Sequence, residues 1–134
     1  MIFSDQKNHE KRQPAVAGRF YPAERDALVR EVEAHIDRNA KKSPVVGIVA
    51  PHAGFMYSGD VAGAVYSRIE IPDTVILMGP NHTGQGEEVA VMTEGTWSMP
   101  IGDISIDREM ENAICEETSL AKQDSSAHRF EHSL

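Results

Sequence analysis

Cysteine is almost absent from this chain. Cys115 stands alone, so no internal disulfide can form, and the single thiol beside six methionines fits a reducing compartment. Long apolar runs are missing too. No stretch approaches the roughly 20 residues that a membrane-spanning helix needs. Positive charge is in short supply: 13 Lys and Arg stand against 21 Asp and Glu, a net charge of −8, which argues against nucleic acid or an anionic membrane as the main partner. No CxxC pair offers thiolates to zinc, and no G-x-S-x-G elbow presents a serine nucleophile. There is no glycine-rich phosphate loop, and Gly84-Gln85-Gly86 lacks the strand-to-helix setting of a dinucleotide-binding turn. Met1 to Gln13 is polar and mixed in charge, unlike a signal peptide. The expectation is a cytoplasmic protein.

What the chain does contain is two apolar runs that each end in a histidine. Val45-Val46-Gly47-Ile48-Val49-Ala50 leads into Pro51-His52-Ala53-Gly54, and Thr74-Val75-Ile76-Leu77-Met78 leads into Gly79-Pro80-Asn81-His82-Thr83-Gly84. Each run is short, β-branched and nearly continuous, which predicts a strand buried on both faces. The segment 61–69 between them is long enough for a crossover helix, so the pair predicts a βαβ unit with adjacent parallel strands. Ser58 is a candidate N-cap for that helix, with Asp60 in its first turn. In an open α/β sheet ligands bind outside the carboxyl ends of the strands, which is where His52 and His82 would both lie.

The remaining segments read as support. With 40% hydrophobic and 25% charged residues, 134 residues suffice for one modest globular domain. Residues 1–11 read as a loose leader, and 14–22 as an extended segment packed on the domain, with Arg19 either a site residue or a surface one. Ala27, Leu28, Val32 and Ile36 recur at helical spacing between Ala23 and Asn39. His35 on that helix reads as partly exposed. Val89–Thr93 predicts a further strand, Glu94 to Trp97 a turn, 97–102 a compact loop, and Ile104 and Ile106 a short strand. Asp107 caps a helix reaching about Thr118, with Met110, Ala113, Ile114 and Cys115 as its apolar stripe. That makes Cys115 a small buried hydrophobe, not a nucleophile. Tyr57 and Trp97 each fit either core packing or a pocket wall. The chain stops at Phe130-Glu131-His132-Ser133-Leu134, an ending that reads as the start of another segment and suggests a truncated or split protein.

Four of the six histidines, His52, His82, His128 and His132, fall in turns or at segment ends. Imidazole on a short loop at a strand end suits a transition metal, because a rigid strand fixes the ring and the loop leaves room for substrate. Glu131 fits two roles, a carboxylate ligand beside two histidines or a group that orients a ligand by hydrogen bonding. The alternative is that these histidines only donate hydrogen bonds inside turns.

Five stretches together resemble the Memo family, whose bacterial and archaeal members are often called AmmeMemoRadiSam system protein B. They are Arg12–Pro22 (RQPAVAGRFYP), Gly47–Gly59 (GIVAPHAGFMYSG), Val75–Gly86 (VILMGPNHTGQG), Gly95–Gly102 (GTWSMPIG) and Asp124–Leu134 (DSSAHRFEHSL). The resemblance implies an α/β three-layer sandwich with a mostly parallel central sheet, similar to LigB-like extradiol dioxygenases, spanning residues 1–134 as a single domain that breaks off after the EHSL motif. It implies a divalent metal on His52 and His82, iron before zinc or copper, with His132 as a catalytic pocket residue beside it. The family's further cysteine ligand has no counterpart here, and Cys115 lies outside the matching motifs. The resemblance also implies AMMECR-type and radical-SAM proteins as partners. The functions it allows are a metal-dependent redox or ring-cleaving activity, or a metal- or peptide-binding module without turnover. An incomplete core would favour self-association.

Overall fold

The computed structural model describes residues 11–92 and 95–133. The leader expected at 1–11 lies outside the described residues except for Lys11, as do Thr93 and Glu94 of the expected strand and turn, and Leu134 of the EHSL motif.

The fold is mixed α/β. Its elements are β1 (Lys11–Arg12), α1 (Arg25–His35), α2 (Phe55–Tyr66), β2 (Ala90–Val91), β3 (Thr96–Met99), β4 (Gly102–Ser105), α3 (Arg108–Glu117) and β5 (Lys122–Gln123), followed by a 3-10 turn at Ser126–His128. β1, β3 and β4 form one small sheet, with β1 parallel to β3 and β3 antiparallel to β4. β2 and β5 pair in parallel as a second. Among the described residues no helix is long and apolar enough to cross a membrane.

Local chemistry explains the helix starts. The Glu24 carboxylate accepts from the amides of Asp26 (3.0 Å) and Ala27 (2.8 Å), satisfying donors that the first turn leaves free. Those bonds hold its carboxyl below the usual range. α1 therefore starts at Arg25 and is shorter at both ends than the apolar spacing predicts; Leu28 is its buried anchor. Asp107 caps α3 by accepting from the Met110 amide at 3.1 Å. The α3 stripe differs from expectation. Glu111 is the buried residue, receiving a 2.6 Å hydrogen bond from the Gln123 amide, while Met110 and Ala113 face outward. A carboxylate with a side-chain partner thus takes the inward position. Residues 97–99 form strand, not loop, because β3 finds β4 as a hairpin partner.

α2 begins six residues earlier than the crossover reading. Gly54 is its N-cap, and Ser58 is buried within the helix with its hydroxyl donating to the Ala53 carbonyl at 2.9 Å. Asp60 instead pairs with Nδ1 of His35 at 2.7 Å. α1 and α2 pack through glycine. A Cβ at Gly59 would fall on the His35 ring, and one at Gly63 on the His35 backbone carbonyl. His35 is thus 18% exposed in its side chain and wedged between helices, more enclosed than its helical position suggested.

The two central runs depart most from expectation. Among the described residues no sheet contains 45–50 or 74–78. Both are exposed, with Val49 at 94% and Met78 at 87%. The parallel strand pair predicted there is corrected to two irregular segments without a ladder. The nearest remnant is one parallel bridge, Ser43 to Ile69, closed by Ser43 N–H to the Arg68 carbonyl and Glu70 N–H to the Ser43 carbonyl, each 3.0 Å. β-branched composition favours extended backbone, but a strand also needs a neighbour for its amides and carbonyls. The 14–22 segment is likewise a tight turn, not an extended arm: Gly18 takes φ +79°, and its amide donates to the Tyr21 carbonyl at 2.8 Å.

Candidate metal centre

The site gathers around Glu131. This residue is only 2% exposed, and its carboxylate is fully engaged. Oε2 accepts from the His82 amide at 2.7 Å. Oε1 accepts from Nδ1 of His82 (2.8 Å) and from the amides of His132 (2.8 Å) and Ser133 (2.9 Å). Burial alone would raise its pKa, but the hydrogen bonds from the His82 ring and from Ser133 and His82 outweigh it and hold the carboxyl far below the usual range. Glu131 is therefore an anion in the folded chain.

That anion sets the chemistry of His82. A carboxylate can only accept, so Nδ1 of His82 carries the proton of this bond, and Nε2 is the ring nitrogen left open to another partner. The loop that presents His82 is shaped locally. Oδ1 of Asn81 accepts from the amides of Thr83 (3.2 Å) and Gly84 (2.9 Å), and Gly84 turns the chain at φ +65°. Asn81 also donates to the Gln85 carbonyl at 2.8 Å.

Three imidazoles cluster here. The His52 and His82 ring centroids are 5.3 Å apart, and those of His82 and His132 are 4.3 Å apart. His82, Glu131 and His132 offer ligand atoms all within 4.8 Å of one another, a group that could hold a metal ion. His52 stands outside that triad but packs edge-on against His82. The donor set, imidazole nitrogens with a buried carboxylate, fits a borderline divalent cation such as iron or zinc. His132 is braced from its other side by an edge contact to Phe20, centroids 5.5 Å apart.

His128 is drawn elsewhere. Its ring lies 6.0 Å from Trp97, and burial, then the Arg12 guanidinium, lower its pKa. Trp97 is thus a packing partner in β3. Tyr57 is exposed on α2. Gly54 and Gly59 make room for the Phe20 backbone and the His35 ring, not for a ligand. Cys115 sits half-buried on α3, its sulfur 3.7 Å from Glu111, and burial raises its pKa.

Sequence reasoning assigned Arg12 no role, yet it holds the site's floor. Its guanidinium is buried, donates to the carbonyls of His128 (2.7 Å) and Glu131 (2.6 Å), and stacks 4.2 Å over the Trp97 ring. The fork fixes the backbone from which the Glu131 carboxylate projects. The one available signal was an arginine at the head of the matching motif, Arg12 to Pro22.

Comparison with known proteins places these residues in a family context. The family model described as Memo-like protein matches residues 12–134. A MEMO1 family protein of Methanosarcina barkeri is 44% identical over 124 residues, covering 92% of this chain and 46% of the relative. One from Aquifex aeolicus is 43% identical over 124 residues, covering 92% and 46%. One from Methanopyrus kandleri is 39% identical over 137 residues, covering 92% and 48%. The chain spans about half the length of the curated relatives it matches. A family match over residues 12–134, carrying the histidines and the glutamate of the cluster, means that this chain belongs to the Memo family.

Proposed function

We propose that this chain carries a metal-dependent site in which His52 and His82 hold a divalent cation, iron before zinc or copper, and His132 serves beside it as acid–base group or hydrogen-bond donor. The observation that supports this most is the buried Glu131 carboxylate on Nδ1 of His82, which leaves Nε2 as the ring nitrogen available to a cation. A carboxylate behind a ligating histidine fixes its tautomer and raises its basicity. When bound, the cation would supply Lewis acidity and, as iron, a one-electron redox couple. Glu131 keeps the His82 ring oriented, and His132, tied through its amide to the same carboxylate, stands ready to exchange a proton with a substrate.

On this reading the activity is a redox or ring-cleaving reaction similar to that of LigB-like extradiol dioxygenases, in the cytoplasm, with AMMECR-type and radical-SAM proteins as partners. The fold on this reading is a three-layer sandwich with a mostly parallel central sheet. The exposed apolar side chains of 45–50 and 74–78 make the chain prone to self-association, which light scattering would detect. A second reading is a metal- or peptide-binding module of the same fold without turnover, for which the same group of His82, Glu131 and His132 would serve as the binding site.

Calorimetric titration of ferrous iron and zinc into the metal-free chain tests the site. His52→Ala and His82→Ala should each remove most uptake, while His35→Ala leaves it unchanged. Equal binding in all three variants would remove the shared site from consideration. Oxygen uptake with a catechol separates the enzymatic reading from the binding one.

A further inference from the structure

Beside the histidine cluster lies a cleft of 330 Å³ lined by Ala15, Val16, Arg19, Phe20, Phe130 and His132. Its size is at the lower end of small-molecule sites. Its walls are unusual for so acidic a chain. Val16 is buried, Phe20 and Phe130 give two aromatic surfaces, and the exposed Arg19 gives a cation. A second cation stands close by, since the Arg129 guanidinium lies 5.9 Å over the Phe130 ring. The Glu131 carboxylate next door is engaged by the His82 ring and three amides, so Arg19 and Arg129 are the charged groups free to face the cleft.

We infer that this cleft binds a small amphiphilic acid, with its apolar, ring-sized body against Phe20 and Phe130 and its carboxylate on Arg19. Charge complementarity selects the head group: in a protein of net charge −8, two arginines beside one aromatic cleft favour an anion. The aromatic walls select the body, because an apolar ring gains from burial against phenylalanine while a bare carboxylate does not. His132 is shared between cleft and cluster, so a bound acid would have its body directed to the candidate metal centre; in that respect the inference rests on the function proposed above.

Phenylacetate is a suitable probe, with benzyl alcohol as the same ring without charge and acetate as the charge without a ring. Amide and methyl shifts of the metal-free chain should titrate with phenylacetate and respond far more weakly to the other two. Arg19→Gln should weaken phenylacetate about tenfold, the weight of one charge-assisted hydrogen bond, and Arg19→Lys less. Phe130→Ala should weaken it too, and because Phe130 is exposed its loss should leave the fold intact. No phenylacetate response, an Arg19→Gln variant that titrates like wild type, or benzyl alcohol binding as tightly as phenylacetate would each overturn the inference. Cobalt(II) separates the two readings. If cobalt binds but its visible absorption ignores phenylacetate, and the shifts are silent, the cleft inference fails and the metal centre stands. If cobalt does not bind, the metal reading fails, and the shift titrations alone decide the cleft.

Discussion

Replacing Glu131 by glutamine changes one heavy atom and no volume, yet it should be among the most damaging conservative changes in this chain. The carboxylate accepts four hydrogen bonds, three on Oε1 and one on Oε2, at 2% exposure. An amide has only one accepting oxygen. If that oxygen faces the His82 ring and the amides of His132 and Ser133, the NH2 group confronts the His82 amide, donor against donor. The opposite flip confronts three donors and is worse. The better arrangement loses one charge-assisted bond and weakens three by removing their charge. At roughly 1.5–3 kcal/mol for a bond to a charged group and about half that for a neutral one, the loss comes to about 3 kcal/mol or more. Urea unfolding of the metal-free chain measures this directly, and nitrogen-15 shifts of the His82 ring report whether Nδ1 remains the protonated nitrogen. A Glu131→Gln protein that unfolds at the wild-type urea concentration, with an unchanged His82 tautomer, would refute the view that this anion organises the site.

Three further outcomes are expected. Gly63→Ala should destabilise the α1–α2 contact by about 1–3 kcal/mol or more, because the new methyl meets the His35 backbone carbonyl, which cannot rotate away; thermal unfolding measures it. Arg12→Lys should cost about 2 kcal/mol, since an ammonium cannot serve both carbonyls and also stack on Trp97; loss of Trp fluorescence perturbation alongside lower urea stability would check it. His128 should make stability fall on the acid side: its folded pKa lies below the ordinary 6.5 through burial and Arg12, so the unfolded chain binds the proton first. That contribution is fully present above pH about 6.5 and is lost as pH falls through the folded value, and melting temperature against pH should flatten across that window in His128→Gln.

The parts of the fold that were legible are those settled within a few residues. Asp107 announces α3 because its own side chain caps the amide three positions on, and Ala27, Leu28 and Val32 announce α1 because helical neighbours share a face. The runs at 45–50 and 74–78 were misread for the converse reason. Their composition describes a preference for extended, buried backbone, while strand status depends on partners elsewhere in space. The hairpin of β3 and β4 was hidden by the same dependence, Trp97 pairing with Ile104 across a turn that looked like loop. At the site, the matching motifs pointed to His52, His82 and His132, and the rings lie together. Glu131 could be weighed as ligand or orienting group, but its three amide partners belong to the backbone and leave no mark on residue type. Arg12 was illegible because its acceptors are carbonyls 116 and 119 residues further along.

The close approach at Gly54 joins two parts of the molecule. Phe55 N–H donates to the Phe20 carbonyl at 2.9 Å, and a side chain at Gly54 would press on the Phe20 backbone. The Phe20 ring in turn meets His132 edge-on. One residue therefore touches the start of α2, three positions after His52, with its main chain, and His132 with its ring. Phe20 works as a tie-rod: an opening that swings the start of α2 away from Phe20 breaks the hydrogen bond from the Phe55 amide. Hydrogen exchange at that single amide becomes a clock for the breathing of the whole cluster, readable with no metal and no substrate present.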